Sequence, residues 1–404
     1  MMAVEPRTVC VISMVCPLVA GGHLCTVKRP GRANRTPASF VRPLAGSVPG
    51  NPRAGYNAAV SHQRNGAPTM TTFARLAYSI GLLAALASVM SFPSAAQEPD
   101  TSVPLVTAAQ YEQWRTELSN WGRWGTDDEL GAANLITPDK RAEAAGLVSE
   151  GFTVSLASNA QKYKSLDNPC PIAWSMVRAS RASASDTVAY PCIHGPGTTH
   201  LDAFAHIFFD GKMWNGYDVD GVVTMEDGAM KNSIMTVKDG LVTRGVLYDI
   251  PRLKGVPYLE PGTRITVADL EAWEEQTGVR VGSGDAFLIR WGRWARQDAL
   301  GPFDTGREAA GLDNMVIPWL RERDVAIAGW ETPGYMPQPE GDISRLALHN
   351  FALTILGIQV LDRADFQALA TAAAARNRWE FMVTIAPLPI PNGTGSPVNP
   401  IAMF

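Results

Sequence analysis

The chain has 404 residues, 18% of them charged, and a formal net charge of −4 at pH 7. Residues 1–96 hold nine of the 35 basic side chains but one of the 39 acidic ones, so the remainder carries about −12. A domain with this charge repels phosphate backbones, and we therefore expect no nucleic acid partner. The length of the remainder permits a single α/β domain with a substantial core.

The N-terminal region divides into two segments. Residues 1–69 are rich in Pro, Gly, Ala and Arg and lack helix or strand periodicity, which predicts either a disordered segment or a mistaken upstream extension. Residues 70–96 contain an early Arg, an apolar run over about 76–90 and small residues at 94–96, the order typical of a secretory signal peptide. We therefore expect translation to begin at Met70, export to the periplasm or secretion, and a mature domain of residues 97–404.

An uncleaved membrane anchor is the alternative for residues 70–96. An apolar run of about fifteen residues is short for a membrane span, so we expect no stable membrane insertion after signal cleavage.

Helix and strand signals then alternate along the mature domain. Thr137 before Pro138 is typical of a helix start, and Thr266-Val-Ala-Asp269 resembles a capping box. Residues 158–186 are polar and irregular, which suggests a rim or lid, and the C-terminal tail is rich in Pro. Further helices are predicted at 314–323, around 346–357 and at 364–376, and strands at 152–157, 187–193, 244–250, 285–291, 325–330, 359–362 and 380–386.

Two cysteines, Cys170 and Cys192, remain in the mature domain. In an oxidising compartment they would form one disulfide, and the alternative is a pair of buried thiols. Neither is a persuasive metal ligand, because no C-x-x-C accompanies them.

Three of the chain's six histidines lie within HGPGTTHLDAFAH, residues 194–206. If the piece around His200 and Asp202 is extended, both side chains leave the same face of a strand and can converge on one Zn²⁺ or Mn²⁺ ion. His206, four residues further on, can reach the same cavity, and His194 lies at the end of a predicted strand. For any single histidine a satisfied core or surface position is the commoner role, but the clustering favours a metal site.

His349 and Asp362 lie far from this cluster in the sequence. A lone His in an apolar helix is more often a core residue. Asp362 ends a predicted strand thirteen residues later, where it can meet His349 in space. A second segment of this kind would complete a metal site while leaving one position for water.

Aromatic side chains near these motifs are candidates for substrate contact. Phe208 begins an aromatic run that extends to a Trp at 214, and such rings can line a pocket for a flat organic molecule, although core packing is their commoner use. We predict substrate contacts for Phe208, Phe204 and Trp124.

Together these residues resemble the cyclase-like metal-dependent hydrolases, the group that includes bacterial kynurenine formamidase and isatin hydrolase. The family pattern is H-x-G-T-H-x-D-x-P-x-H, and Thr199-His200-Leu201-Asp202 with His206 matches its second half. The resemblance also covers WGTDDELGAANL, GDAFLIRWG and GSPVNPIA, and so spans nearly all of residues 118–402.

The resemblance implies that His200 and Asp202 bind the metal, that His206 donates and accepts the proton, and that His349 and Asp362 complete the site. Asp362 replaces the usual Glu. The family's first ligand position falls on Pro196, so either His194 reaches the metal through a shifted loop, or this ligand is lost and a single ion is expected. The proline of the family pattern is replaced by Phe204 in this sequence.

The fold implied is a swivelling β/β/α single domain, with a mixed sheet flanked by helices, and homo-oligomers are common. The activity implied is hydrolysis of a C–N bond, in a formamide or cyclic amide, of a small aromatic or cyclic carbonyl compound. Zn²⁺ or Mn²⁺ would supply hydroxide at neutral pH, with His206 as general acid and base. Two alternatives remain: a lactone or ester hydrolase of the same family, and a non-catalytic periplasmic protein that binds a small molecule.

Overall fold

The computed structural model describes residues 104–332, 344 and 346–404. The predicted extension at 1–69, the predicted signal peptide at 70–96 and most of the predicted Pro/Gly-rich loop at 332–342 lie outside this part of the chain. Within the described residues, no helix has the length and apolar character needed to cross a membrane.

The helices begin where the sequence supplies a cap. The Thr137 hydroxyl accepts a hydrogen bond from the amide of Lys140, and Thr266 and Asp269 form both bonds of a capping box. In the described residues the α-helices are α1 (Ala108–Glu117), α2 (Pro138–Gly146), α3 (Ile250–Leu253), α4 (Val267–Thr277), α5 (Arg293–Leu300), α6 (Val316–Glu322), α7 (Ala347–Phe351) and α8 (Gln367–Arg376). Short 3₁₀ segments cover Gly131–Leu135, Phe204–His206, Trp214–Gly216 and Ile234–Val237, and a π-helical turn, Ala352–Leu356, continues α7.

Nine strands form one mixed sheet. They are β1 (Thr153–Ser155), β4 (His200–Asp202), β7 (Leu241–Asp249), β9 (Ala286–Arg290), β11 (Ile327–Trp330), β12 (Gln359–Asp362), β13 (Glu380–Ile385), β14 (Gly395–Pro397) and β15 (Ile401–Met403). Their order across the sheet is β1-β15-β13-β7-β9-β11-β12-β4-β14. The four middle strands, β7, β9, β11 and β12, run parallel, and the strands on either side of them are antiparallel.

Three pairs of strands lie outside this sheet. They are β2 (Ala173–Ala179) with β3 (Ala184–Ala189), β5 (Val223–Thr224) with β6 (Gly228–Ala229), and β8 (Arg264–Ile265) with β10 (Gly311–Leu312).

The parallel strands form the centre of the core. Val246, Leu247, Ile289 and Val360 are 0% exposed, as expected for parallel strands that helices cover on both faces. The predicted class, an α/β domain with a mixed sheet flanked by helices, is confirmed.

Two regions differ from the sequence-based predictions. Residues 158–186 were expected to be irregular, but they contain β2 and part of β3, which pair only with each other and are exposed along their whole length. The strand predicted at 187–193 ends at Ala189. The Pro-rich tail, expected to be irregular, supplies β14 beside β4 and β15 between β1 and β13. Both strands are only three residues long, and the prolines around them conceal so short a strand signal.

A disulfide joins Cys170 to Cys192, which confirms the predicted pairing. It closes the base of the β2–β3 hairpin, so the hairpin and the start of the histidine-rich loop are covalently tied.

Candidate metal and catalytic site

The strand β4 places two of the predicted ligands on the sheet. It is extended, as predicted, and lies between β12 and β14. Because side chains alternate along a strand, His200 and Asp202 leave the same face. Asp362 on β12 is the cross-strand partner of His200, so this carboxylate belongs to the same face of the sheet.

The carboxylate of Asp202 is the centre of the cluster. It is 0% exposed, and its Oδ1 lies 2.6 Å from Nδ1 of His194 and 3.5 Å from Nε2 of His200. Its Oδ2 lies 3.1 Å from Nε2 of His349. The fold therefore gathers imidazoles from distant parts of the chain around one buried acid.

The outer nitrogens of these rings also have partners. Nδ1 of His200 lies 2.8 Å from the carbonyl oxygen of Thr198, and since a carbonyl only accepts, this nitrogen carries the proton. Nε2 of His194 contacts the Thr394 hydroxyl at 2.9 Å, and Nδ1 of His349 lies 3.1 Å from the side-chain oxygen of Asn350. These contacts orient the rings, as is usual around metal-binding histidines.

His206 joins the cluster by stacking. Its ring lies 3.5 Å from that of His194, centroid to centroid, at an interplanar angle of 5°. Burial lowers the pKa of His206 to about 4, although the charge of Asp202 acts to raise it. His206 is therefore neutral at pH 7 and can accept a proton there.

The other buried groups have shifted pKa values as well. Burial acts to raise the pKa of Asp202, but the neighbouring His200, His194 and His349 outweigh it and hold the pKa well below its ordinary value. Burial acts to lower the pKa of His349, but the hydrogen bond and charge of Asp202 raise it overall. Burial raises the pKa of Asp362. An anionic carboxylate among imidazoles is a set of donors that can bind a divalent cation.

The donor atoms fit a divalent metal ion. In the described residues two sets of donors lie within 4.8 Å of one another: His194, His200 and Asp202, and Asp202, His206 and His349. Imidazole and carboxylate are ligands that Zn²⁺ and Mn²⁺ accept. The protonated Nδ1 of His200 leaves the lone pair of Nε2 directed towards a carboxylate oxygen, an arrangement that a shared cation stabilises. Asp362 belongs to neither set, and its role as a ligand stays a prediction.

His194 reaches the cluster despite the departure at Pro196. The two positions line the same cavity, and the His194 ring crosses β14 at Gly395, where an added Cβ would lie 2.6 Å from Cε1 of the ring. A glycine at 395 is therefore needed for this ring position. The shifted-loop interpretation, in which His194 takes the place of the missing ligand, agrees with this geometry.

A cavity of about 290 Å³ lies beside the cluster. The described residues that border it include His194, Pro196, His200, Glu331, Asp362 and Arg363. His206 does not border the cavity, but it stacks on His194 and has a ring nitrogen within 4.8 Å of donor atoms of Asp202 and His349.

The three aromatic residues predicted to contact substrate lie away from this cavity. Phe204 is 1% exposed and packs on Trp214, with ring centroids 5.5 Å apart. Trp124 also packs against Trp214, and Phe208 is 39% exposed. None of the three borders the cavity described above, and their contact with substrate stays a prediction.

Several residues around the site were not singled out from the sequence. Thr394 and Gly395 hold His194; Gly395 opens the GSPVNPIA segment of the family resemblance, and Thr394 directly precedes that segment. Glu331, Asp167 and Arg363 carried no signal, because isolated charged residues in a sequence do not reveal that they will be buried.

The fold and the cluster define a mixed α/β domain with a buried His/Asp site suited to a divalent metal ion. The cyclase family profile matches residues 151–335. A solved structure described as a novel cyclase is 30% identical in sequence, with a TM-score of 0.63, and the match covers 72% of this chain and 99% of that one. The chain therefore belongs to the cyclase family and has the cyclase-like fold, as predicted.

Other solved structures are more distant. Isatin hydrolase A from Labrenzia aggregata, bound to benzyl benzoate, is 19% identical with a TM-score of 0.45, over 64% of this chain and 94% of that one. Isatin hydrolase A from Ralstonia solanacearum is 22% identical with a TM-score of 0.44, over 65% and 95%. No curated protein matches the chain.

Proposed function

We propose that the protein is a metal-dependent hydrolase that cleaves a C–N bond, in a formamide, a cyclic amide or a similar group, of a small aromatic or cyclic carbonyl compound. One observation carries the proposal. The fully buried carboxylate of Asp202 is surrounded by imidazoles and lies beside a cavity of small-molecule size that His194 and His200 border. Membership of the cyclase family supports the same activity.

The cluster would hold the metal through His194, His200, Asp202 and His349, with Asp362 as a further donor. A bound Zn²⁺ or Mn²⁺ would supply Lewis acidity at the substrate carbonyl. The hydrogen bonds of the His200 and His194 rings with the Thr198 carbonyl and the Thr394 hydroxyl keep these rings in place, and this reduces the reorganisation needed when substrate binds.

His206 would move the proton. Its low pKa leaves the ring neutral at pH 7, so a ring nitrogen can accept a proton from the attacking water and return it to the leaving nitrogen. The stacking on His194 restrains the ring beside the ligands.

The test combines metal analysis with matched substrates. The purified protein should contain a divalent ion by inductively coupled plasma mass spectrometry, and it should hydrolyse a formamide or cyclic amide in a panel that includes the corresponding lactone and ester. Chelation should abolish turnover, and added metal should restore it. Faster turnover of the lactone would favour the alternative activity, and no turnover of any compound by the metal-loaded protein would favour a binding protein.

We further propose that the protein is exported. The Cys170–Cys192 disulfide supports this, because disulfides persist in oxidising compartments. Osmotic-shock fractionation and N-terminal sequencing of the native protein test it: a periplasmic or secreted chain should begin near Gln97, and a cytoplasmic one would contradict export.

A further inference from the structure

Two buried arginines share one carboxylate, and one of them, Arg363, borders the cavity. Arg293 and Arg363 are 3% and 2% exposed, and Asp167 is 1% exposed. Nη2 of Arg293 lies 2.8 Å from Oδ2 of Asp167, and Nη2 of Arg363 lies 3.3 Å from the same oxygen. Two guanidinium groups thus contact a single carboxylate oxygen, while the charges of Glu331 and Asp365 also act on Arg293 and that of Asp362 acts on Arg363.

Several buried polar atoms at or next to this cavity lack a hydrogen-bond partner among the described residues. Nε and Nη1 of both arginines have no hydrogen bond within the part of the chain that the structure describes. The same holds for Oε1 of Glu331 and Oγ1 of Thr332, which also border the cavity. Nearly all buried polar atoms in native proteins are hydrogen-bonded, so such a concentration beside a cavity indicates that a polar ligand supplies the missing bonds.

The backbone of Arg363 is held in an uncommon conformation. Its φ is 55°, in the left-handed region that residues with a Cβ rarely adopt. Its amide donates to Oδ1 of Asp362, and its carbonyl accepts from the Thr199 hydroxyl. Arg363 follows the last residue of β12, which pairs with β4, so its position is fixed relative to His200. Strained backbone of this kind is often retained at functional sites.

Asp304 and Asp362 are acids that border the cavity, and Glu331 is a third that also argues against an anionic ligand. Its Oε2 accepts from the backbone amides of Trp291, Gly292 and Arg293, at 2.7 to 3.1 Å. These three donors offset much of the charge of Glu331, and Arg363 is the one Lys or Arg among the described residues that border the cavity.

We propose that Arg363 recognises a carboxylate of the substrate, so that the compound hydrolysed at the histidine cluster is an organic acid. A planar guanidinium binds a carboxylate through two parallel hydrogen bonds, and the Thr332 hydroxyl can donate a further one. The carboxylate anchors the molecule at Arg363 while the scissile carbonyl lies at His200, on the same cavity. This assignment rests on the proposed hydrolase function.

The test is a binding measurement that does not require turnover. Benzoate and its neutral analogue benzamide are titrated into the purified protein by isothermal titration calorimetry. The wild-type protein should prefer benzoate, and Arg363→Met should weaken benzoate binding about 10- to 100-fold, as for loss of a charged hydrogen bond. The matched control is Arg296→Met, since Arg296 also has unpartnered buried nitrogens but does not border the cavity; it should bind benzoate as the wild type does.

Arg363→Lys covers the case in which the Met variant does not fold. Lysine keeps the positive charge but cannot form the two parallel hydrogen bonds of a guanidinium. This variant should therefore bind benzoate several-fold more weakly while still preferring it to benzamide. Equal benzoate affinity in the wild type and in the folded Arg363 variants, or no preference of the wild type for benzoate, overturns the assignment. Hydrolysis of matched acid and methyl ester substrates separates the two proposals. If the wild-type protein hydrolyses neither substrate, the proposed hydrolase function is refuted. If it hydrolyses both without preferring the acid, only the role of Arg363 is refuted.

Discussion

Nε2 of His349 lies 3.1 Å from Oδ2 of Asp202, although 147 positions separate the two residues in the chain. Asp202 is on β4, beside β12, and His349 is on α7, the helix that leads through a π-helical turn into β12. The pairing of β4 with β12 therefore brings the two halves of the site together.

Asp202→Asn should remove the metal site. The amide lacks the negative charge that balances the surrounding imidazoles, and we expect metal affinity to fall by more than about 100-fold. Metal content after dialysis, measured by mass spectrometry, checks this. Asp218→Asn serves as control, because Asp218 is exposed, contacts Lys212 and belongs to neither donor set. Metal retained by a folded Asp202→Asn protein would contradict the assignment.

His206→Ala should separate metal binding from catalysis. With the proton acceptor removed, kcat should fall by about 10²- to 10⁴-fold, while the remaining donors still hold the ion. The measurements are kcat on the best amide of the panel and metal content of the same sample. A variant that loses its metal together with its activity would show instead that His206 is a ligand. His206 could be one, because it forms a donor set with Asp202 and His349.

The disulfide should stabilise the wall of the cavity. Cys170 follows Pro169, and Cys192 is two residues before His194; both Pro169 and His194 border the cavity. The double change Cys170→Ser and Cys192→Ser should lower the free energy of unfolding by roughly 2–4 kcal/mol for a bridge that spans 22 residues.

Denaturant titration of the double variant, and of wild-type protein with and without reductant, measures this effect. Reductant should have no effect on the double variant. Equal stability of the oxidised wild type and the double variant would contradict the prediction.

An ion pair far from the site predicts a pH dependence of stability. The guanidinium of Arg123 binds Asp324 at 2.6 Å and 2.8 Å, and this hydrogen bond lowers the pKa of Asp324 despite partial burial. A carboxyl whose pKa is lowered on folding stabilises the protein above its unfolded pKa, and the contribution is lost as pH falls through the folded value.

Asp324→Asn should therefore reduce the free energy of unfolding by about 0.2–1 kcal/mol at pH 7, a value typical of partly exposed pairs. Asn tolerates the positive φ of 50° at this position. The difference from the wild type should shrink below about pH 4 and at high salt. A difference that is constant across the range from pH 7 to pH 3 would show that the ion pair is not its cause.

We propose that the protein is a homo-oligomer that associates through the β2–β3 hairpin. Val177 and Val188 are 64% and 53% exposed, and Trp174 and Met176 are 41% and 46% exposed. Contiguous exposed apolar groups of this kind commonly mark interfaces. Val177→Asp combined with Val188→Asp should lower the mass measured by light scattering after size-exclusion chromatography. A wild-type protein that is monomeric at micromolar concentration would contradict the proposal.

Much of the fold could be predicted because its signals are local. Residues adjacent in the chain are enough to predict the helix caps at Thr137 and Thr266 and the apolar strands at 244–250, 285–291 and 325–330. The structure has helices and strands at these places. The β2–β3 hairpin was missed because its strands lack a buried face, so no alternation of apolar and polar residues marks them.

The sequence by itself determined the chemistry of the candidate site: three histidines and an aspartate within thirteen residues, and the spacing that relates His349 to Asp362. Only the tertiary structure decided which of these groups meet. The contact of His349 with Asp202, the position of His194 over Gly395 and the burial of Arg363 beside the cavity depend on strand pairing across the sheet. Strand pairing joins residues that are distant in the chain, and no local pattern of residues specifies the distance between their side chains.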